Sequence, residues 1–426
     1  MRSLVLLLAA AAFAQSTPQV QLSHTSESLR GVSAVSREIA WASGTHGTYL
    51  RTTDAGRAWT PAQVPDAATL DFRAVAAFSA DEAFLMSAGP GDQSRIYHTS
   101  DAGRHWQLQF TNSNPKGFFD SMAFWNPTHG VVLGDPIPDE SGQLKFELLI
   151  TADGQTWQPI PSSQLPPAFE GEGAFAASNT CIAILKSGNV AHQLVWGQPP
   201  SAVQPGAARQ ASAPAQQNEG KGTTSSRAVR QPESTRALAP GAPMSANSAD
   251  PNIWFATGGK AARVFHSADH GQTWRVFDTP ILHGPDSAGI FSIAFRDALH
   301  GVIAGGDYKH PDADGPNLAF TGDGGKTWTL SPIHPQVFFS AVAYDRHANE
   351  TERRGNPVPT DGKKPNPRPT RLLLVAQDFI FDLRPPSNPR RLTAKKNSGI
   401  KFNAISPYPQ GGALIVGPNG SIATIP

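Results

Sequence analysis

One eight-residue pattern returns along the chain and constrains the fold more than any other feature. It reads Ser/Thr-x-Asp-x-Gly-x-x-Trp, and clean copies begin at Thr52, Thr99, Ser267 and Thr321. A fifth copy at residues 151–157 keeps the spacing from glycine to tryptophan but places its aspartate directly beside the glycine. Near-identical copies at regular intervals indicate a repeat architecture in which each copy belongs to one structural unit.

The residue types of this pattern predict a hairpin turn. An aspartate carboxylate accepts hydrogen bonds from the N–H groups of its own turn, and glycine adopts a positive φ without steric cost. The tryptophan then begins the next strand and places a large apolar ring between neighbouring sheets. Because each carboxylate is used by its own turn, we assign these residues a structural role and expect no metal there. The residues assigned to this role are Asp54, Gly56, Trp59, Asp101, Gly103, Trp106, Asp269, Gly271, Trp274, Asp323, Gly325 and Trp328.

A second repeat, a short apolar segment, precedes these turns and continues where they are absent. Its seven copies lie at residues 29–32, 72–75, 119–122, 174–177, 290–293, 339–342 and 402–405, the fourth being a looser match. A second strand that usually ends in glycine follows each copy, and four strands recur about every 50 residues. The sequence therefore predicts an all-β fold, a seven-bladed β-propeller with four-stranded antiparallel blades. The last blade lacks an outer strand, which we expect residues 20–24 to supply, so that the N- and C-terminal strands close one blade.

Two insertions and a leader complete the predicted organisation. Residues 1–14 combine Arg2, an apolar stretch and an Ala-x-Ala cleavage pattern, which is typical of a secretory signal peptide. The single propeller then spans 15–426, with a disordered insertion at 199–250 in blade four and a basic, proline-rich insertion at 346–370 in blade six. We expect an exported protein that is periplasmic or extracellular.

Composition narrows the classes of partner. The 426 residues carry 35 basic and 34 acidic side chains, a net charge of +1, so no overall field favours nucleic acid. The apolar leader is too short for a transmembrane segment and no later stretch is long enough. The single cysteine, Cys181, lies in an apolar run that indicates a buried residue. We expect a monomer whose partner is an unknown protein or a glycan.

The eight-residue pattern resembles the Asp-box, or BNR, repeat of β-propellers. A single seven-bladed ring behind a signal peptide is most similar to the photosystem II stability/assembly factor family. That resemblance implies binding of partner proteins, for which the family uses an arginine-rich surface that cannot be matched here residue by residue. Sialidases, certain endoglucanases and sortilin-type receptors share the repeat, so it specifies a fold and not a chemistry.

Candidate functional residues gather on the face opposite the Asp-containing turns, where inner strands begin and second strands end. Carboxylates that converge on a central funnel would form a binding or acid–base site. Asp120 and Asp135 are the candidate catalytic pair, because a glycosidase needs two carboxylates. The ligand-binding candidates are Asp71, Arg73, Arg95, Glu172, Asp307 and Tyr308. The alternative role for Asp135 and Asp307, each of which ends a second strand, is to cap a loop by accepting backbone N–H groups.

Two functions remain open from the sequence. The first is a non-catalytic, assembly-factor-like binding scaffold, since catalytic signatures are missing. The second is a carbohydrate-active enzyme or lectin, glycosidase-like or sialidase-like, that uses the carboxylate funnel. If the chain is an enzyme, a glycoside hydrolase is favoured over an oxidoreductase, because no dinucleotide-binding glycine pattern and no Cys-x-x-Cys-His occurs. We expect no cofactor and no metal. The sequence leaves the substrate or partner undetermined.

Overall fold

The computed structural model describes residues 18–185, 251–333, 335–345, 371–376, 379–383, 393–396 and 400–426. The predicted signal peptide 1–14 and the predicted insertions 199–250 and 346–370 lie outside these residues. The described part of the chain is almost entirely β-strand. Its helical segments are two 3-10 turns, Gly91–Gln93 and Ser162–Gln164.

The strands follow one another in short antiparallel hairpins. Those of the first three blades, with the N-terminal strand, are β1 (Gln19–Gln21), β2 (Leu29–Ala34), β3 (Ala40–Gly44), β4 (Thr48–Thr52), β5 (Thr60–Gln63), β6 (Asp71–Ala77), β7 (Ala83–Ala88), β8 (Arg95–Thr99), β9 (Gln107–Thr111), β10 (Phe119–Asn126), β11 (His129–Pro138), β12 (Leu144–Thr151) and β13 (Gln158–Pro159). The remaining strands are β14 (Glu172–Gly173), β15 (Ile182–Ile184), β16 (Ile253–Ala256), β17 (Gly258–Gly259), β18 (Arg263–Ser267), β19 (Arg275–Asp278), β20 (Ala288–Phe295), β21 (Gly301–Asp307), β22 (Leu318–Thr321), β23 (Thr329–Leu330), β24 (Phe339–Asp345), β25 (Arg371–Ala376), β26 (Phe379–Leu383), β27 (Thr393–Lys396), β28 (Ala404–Pro407), β29 (Ala413–Gly417) and β30 (Ser421–Ile425).

These strands form seven sheets, which confirms the predicted seven-bladed propeller. Six blades follow chain order, from the β2–β5 blade to the β24–β27 blade, and five of these sheets hold four strands. The fifth blade is extended by the two-residue strands β14 and β17, which join it through the pairing of Gly258 with Gly289. Blade four combines β15 with β16, β18 and β19. Its inner strand is therefore Ile182–Ile184, and the expectation that residues 174–177 form that strand is wrong.

The seventh blade is closed by both ends of the propeller, as predicted. Strand β1 pairs antiparallel with β30, with Val20 opposite Ala423, and the order of the sheet is β1-β30-β29-β28. Closure in this way covers the sheet edge that β30 would otherwise expose. The predicted strand of residues 20–24 is shorter than expected and ends at Gln21.

Seven apolar clusters, one for each pair of adjacent blades, make up the core of the described residues. The ring centroids of Phe84 in blade two and Phe124 in blade three, for example, lie 4.5 Å apart. Another cluster joins Leu50 of blade one to Leu414 of blade seven. Because the last blade packs on the first in the same way as every other pair, burial of apolar side chains runs around the whole ring.

The five repeated turns are called the Asp turns here, residues 52–59, 99–106, 151–157, 267–274 and 321–328. In the first, Asp54 Oδ1 accepts the Ala58 N–H (3.0 Å) and the Thr52 hydroxyl (2.9 Å), while Thr52 Oγ1 accepts the Gly56 N–H (3.0 Å). Gly56 has a φ of 77°, which glycine adopts without strain. The irregular third turn has equivalent bonds, since Asp153 Oδ1 accepts the N–H groups of Gln155 and Thr156.

Each Asp-turn tryptophan packs into the cluster shared with the preceding blade. Trp157 of blade three lies edge-on to Phe124 at 5.7 Å and belongs to the cluster formed with blade two. Its Nε1 donates to Gln109 Oε1 of blade two (3.0 Å), and Gln109 Nε2 donates back to the Gly154 carbonyl (2.9 Å). The Asp turn therefore binds one blade to the next as well as reversing the chain.

Replacement of Trp157 by alanine tests the packing role of the tryptophan. We expect Trp157→Ala to lower the free energy of unfolding by about 3–5 kcal/mol, the usual cost of deleting a buried aromatic ring. Guanidinium titration followed by circular dichroism measures this loss. Gln155→Ala, an exposed side chain in the same turn, should change stability by less than about 0.5 kcal/mol. Equal effects of the two substitutions would contradict the packing role.

Candidate functional site

The inner strands of five blades contain a β-bulge at the same position. The register shifts between the first and third residue of each apolar segment, so that one extra residue stands opposite the second strand. The bulged residues are Arg30, Arg73, Asp120, Phe291 and Ser340. A bulge changes the direction of its side chain, and bulges are frequent beside functional sites. Side chains of five blades are thus presented at equivalent places around the central channel.

A segment of blade four, residues 174–180, crosses this region and is called the channel plug here. Its hydrogen-bond partners come from four other blades. Arg73 Nη1 donates to the Ala176 carbonyl, and Ser121 Oγ and the Met122 N–H donate to Asn179 Oδ1. Ser178 Oγ donates to the Ser340 carbonyl, and Ser292 Oγ donates to Thr180 Oγ1. Contacts with blades two, three, five and six show that this segment spans the channel. The sequence pattern that suggested a strand here belongs to the channel plug.

Asp120, one of the two candidate catalytic carboxylates, is buried beside the channel plug. Asp120 is 1% exposed, and its Oδ2 has no hydrogen-bond partner among the described residues. Burial, followed by the nearby charge of Asp135, raises the pKa of Asp120 well above its usual value, and Arg73 opposes the shift. The neutral form of Asp120 is therefore favoured, and the side chain is shielded from solvent.

Asp135, the second candidate catalytic carboxylate, holds the channel plug and also borders a cavity. Its Oδ1 accepts the Ala174 N–H at 3.0 Å, which is the capping role foreseen as the alternative for this residue. Burial raises the pKa of Asp135 to about 6, and the Ala174 N–H acts in the opposite direction. The cavity has a volume of about 430 Å³ and is also lined by Phe175 and Glu172.

Asp71 and Arg73 form an ion pair with a second arginine next to it. Arg73 Nε donates to Asp71 Oδ2 at 2.9 Å, and Arg30 Nε lies 3.7 Å from Asp71 Oδ1. Burial lowers the pKa of Arg30, and the Arg73 charge acts in the same direction while Asp71 opposes both. Arg30 was not among the sequence candidates. The signal was present, because Arg30 and Arg73 occupy the same position in the apolar repeat.

Glu172 is part of a buried ion pair with Arg263 of blade four. Arg263 Nε donates to Glu172 Oε1 at 2.9 Å, and Nη2 donates to Oε2. Oε1 also accepts the Thr257 hydroxyl and Oε2 the Phe169 N–H, so both carboxylate oxygens are satisfied. The geometry gives Glu172 a structural role, because these bonds fix the segment that leads into the channel plug.

The remaining candidates lie in loops of other blades. Asp307 accepts the Lys309 N–H (2.9 Å) and contacts His310 Nδ1 (2.8 Å). Burial raises the pKa of Asp307, but hydrogen bonds with His310, Ser287 and the Lys309 N–H outweigh it and lower the pKa to about 2. Tyr308 is 45% exposed beside Phe291, and Arg95 Nε donates to the Asp92 carbonyl. Of Asp71, Asp120, Asp135 and Asp307, Asp135 alone lines the 430 Å³ cavity.

Two features that are absent from the described residues bear on the chemistry of the site. Nowhere in these ranges do three His, Cys, Asp or Glu side chains come together as metal ligands. Nor does this part of the chain form a helix with the length and apolar character to cross a bilayer. Cys181 is buried, and burial raises the pKa of its thiol far above the ordinary range.

Solved structures with this architecture include two of YCF48. One, YCF48 bound to a D1 peptide, shares 13% sequence identity, covers 98% of this chain and 96% of its own, and superposes with a TM-score of 0.52. YCF48 from Cyanidioschyzon merolae gives 12% identity, 96% and 98% coverage, and a TM-score of 0.52. The WD40 repeats of RRP9 give 10% identity, 96% and 99% coverage, and a TM-score of 0.51. These likenesses establish the fold. No family model and no curated protein matches the sequence.

Replacement of Glu172 tests its structural role. Glu172→Gln leaves the buried Arg263 guanidinium without its carboxylate, and breaking such a pair costs about 3–5 kcal/mol. Chemical denaturation measures the loss. The double variant Glu172→Gln/Arg263→Met removes both charges and should recover part of it. A stable single variant with weakened ligand binding would instead assign Glu172 to ligand recognition.

Proposed function

We propose that this chain is a non-catalytic propeller that binds a partner protein through the face opposite the Asp turns. The observation that carries this proposal is the channel plug, which occupies the place where a substrate would meet the funnel carboxylates. Asp120 is 1% exposed, Asp71 is paired with Arg73, and Asp307 caps its own loop. A hydrolase needs two carboxylates that reach one substrate, and of Asp71, Asp120, Asp135 and Asp307 only Asp135 lines the cavity.

The same face presents groups suited to protein recognition. Tyr308 is 45% exposed and Phe169 is 53% exposed, and aromatic side chains are enriched at the centres of protein interfaces. The Arg30 and Arg73 side chains are each about a third exposed and carry more donors than Asp71 accepts. An assembly-factor-like role is consistent with the likeness to YCF48, which was solved with a bound peptide.

The carbohydrate-active alternative retains one supporting observation. Asp120 and Asp135 are close enough for the charge of Asp135 to raise the pKa of Asp120. Raised carboxylate pKa values are typical of a general acid, although buried structural pairs have them too. Hydrolysis or binding of a glycan at this pair requires the channel plug to move away from Asp120.

Capture of a partner tests the main proposal. Tagged protein incubated with an exported-protein fraction should recover a specific partner, and Arg30→Ala/Tyr308→Ala should reduce its capture at least about tenfold. Arg57→Ala/Arg104→Ala removes exposed residues of two Asp turns on the opposite face and should leave capture unchanged. Chromogenic glycosides cleaved by the wild type but not by Asp135→Ala would favour the carbohydrate-active function and count against the scaffold.

Export of the chain is the second part of the proposal and rests on residues 1–14. Cleavage after Ala14 should yield a mature protein that begins at Gln15. Mass spectrometry of the N-terminal peptide after expression with a secretion system measures this directly. Retention of Met1 in protein recovered from the cytosol would contradict export.

A further inference from the structure

The cavity next to Asp135 has the features of a pocket for a positively charged side chain. Its volume of about 430 Å³ lies within the range of small-ligand pockets. Asp135 Oδ1 is used by the Ala174 N–H, whereas Oδ2 has no hydrogen bond among the described residues. A carboxylate oxygen at a cavity wall that lacks a donor is matched by an ammonium or guanidinium group.

Asp120 supplies a second, independent observation. It lies within electrostatic range of Asp135, it is buried, and its Oδ2 has no hydrogen-bond partner among the described residues. Arg73, the cation whose charge acts on Asp120, already donates to Asp71 and to the Ala176 carbonyl. Two carboxyl groups thus share a region in which the Arg73 guanidinium is occupied elsewhere. Buried acidic groups of this kind are normally paired, so the region favours an incoming cation.

The other walls of the pocket suit the aliphatic part of a basic side chain. Phe175 lines the cavity and stacks on Phe291 with ring centroids 3.8 Å apart, so its position is fixed. Pro136 and the backbone of Gly258 and Gly259 form further lining. A Cβ at Gly258 would lie 2.2 Å from the Phe175 ring, so glycine is required for this close approach. A methylene chain packs on such a surface, and a cation beside an aromatic ring gains additional attraction.

The remaining charged groups at the pocket do not satisfy Asp135. Glu172 is paired with Arg263, and Asp286 at the rim lies 3.8 Å from Lys260. Lys116 also lines the cavity, but it is exposed and forms no ion pair within the described ranges. Lys116 would repel an incoming cation, and its removal should therefore favour binding.

We infer that this pocket, bounded by Asp135, Phe175 and Pro136, receives a lysine or arginine side chain of the partner protein. That the side chain belongs to a partner protein rests on the proposed function. That it is positively charged rests on the lining of the pocket. The occupant donates to Asp135 Oδ2, and its methylene chain lies against Phe175.

The experiment uses n-butylguanidinium and n-butylammonium as probes of the full-length chain, with n-butanol as the neutral analogue. Saturation-transfer NMR titrations give the dissociation constants. Both cations should bind the wild type and n-butanol should not. Asp135→Asn retains an acceptor for the Ala174 N–H and removes the charge, so we expect at least about fivefold weaker binding. Glu140→Gln removes an exposed carboxylate of the same blade and should leave the affinity unchanged, and Lys116→Ala should increase it.

The dependence on pH provides a second readout. The pKa of Asp135 is about 6, so the carboxylate is charged above this pH and neutral below it. Between pH 7.5 and pH 5.0 the affinity for either cation should fall by at least about threefold, in the wild type but not in Asp135→Asn. Equal binding of n-butanol, or cation binding that Asp135→Asn does not change, would overturn the assignment.

Partner capture separates this inference from the proposed function. Loss of both cation binding and capture in Asp135→Asn supports the assignment to a partner side chain. A variant that loses cation binding but captures the partner as the wild type does would overturn that assignment and leave the proposed function standing. A wild type that binds the cations and captures no protein would overturn the proposed function, and with it the partner as the source of the side chain.

Discussion

The ring depends on contacts between the Asp turn of one blade and the blade before it, and in two of the five Asp turns a glutamine side chain provides them. Gln109 of blade two accepts from Trp157 Nε1 and donates to the Gly154 carbonyl of blade three. The same arrangement links Gln21 to Trp59 Nε1 and the Ala55 carbonyl. A carboxylate that fixes the turn therefore also fixes the position of the indole. The same few residues of the Asp turn therefore determine both the shape of the turn and the packing between blades.

The equivalence of Gln21 and Gln109 explains why the N-terminal strand is needed. Gln109 lies on β9, the outer strand of blade two, and Gln21 lies on β1, which takes the outer place in blade seven. A propeller assembled without β1 would lose the group that holds the first Asp turn. Blades six and seven lack an Asp turn between them and use Asp345 instead, which accepts the Gly412 N–H and pairs with Arg371. A buried charge thus replaces the indole at that interface.

The fold could be predicted from the sequence because its determinants are local and repeated. The Asp turns and the apolar segments each recur at regular intervals along the chain, and Arg30 and Arg73 are each the second residue of an apolar segment. The channel plug could not be predicted in this way, because residues 174–177 imitate the apolar segment while Ser178 and Asn179 bond to distant blades. The partners of the candidate site residues could not be predicted either, because whether Glu172 meets a ligand or Arg263 depends on the path of the chain between blades.

The channel plug changes the electrostatics of the carboxylates that the sequence places around the central funnel, Asp120 and Asp135 in particular. It buries Asp120, whose neutral form is then favoured, and it occupies one oxygen of Asp135 while leaving the other beside a cavity. A charged carboxylate in such a place is costly to the isolated protein, because burial disfavours the ionised form. An incoming cation relieves that cost, so part of the binding energy comes from the unfavourable state of Asp135 before binding. The proposed binding of a cation on this face is thereby coupled to pH near 6, through the residue that also holds the channel plug.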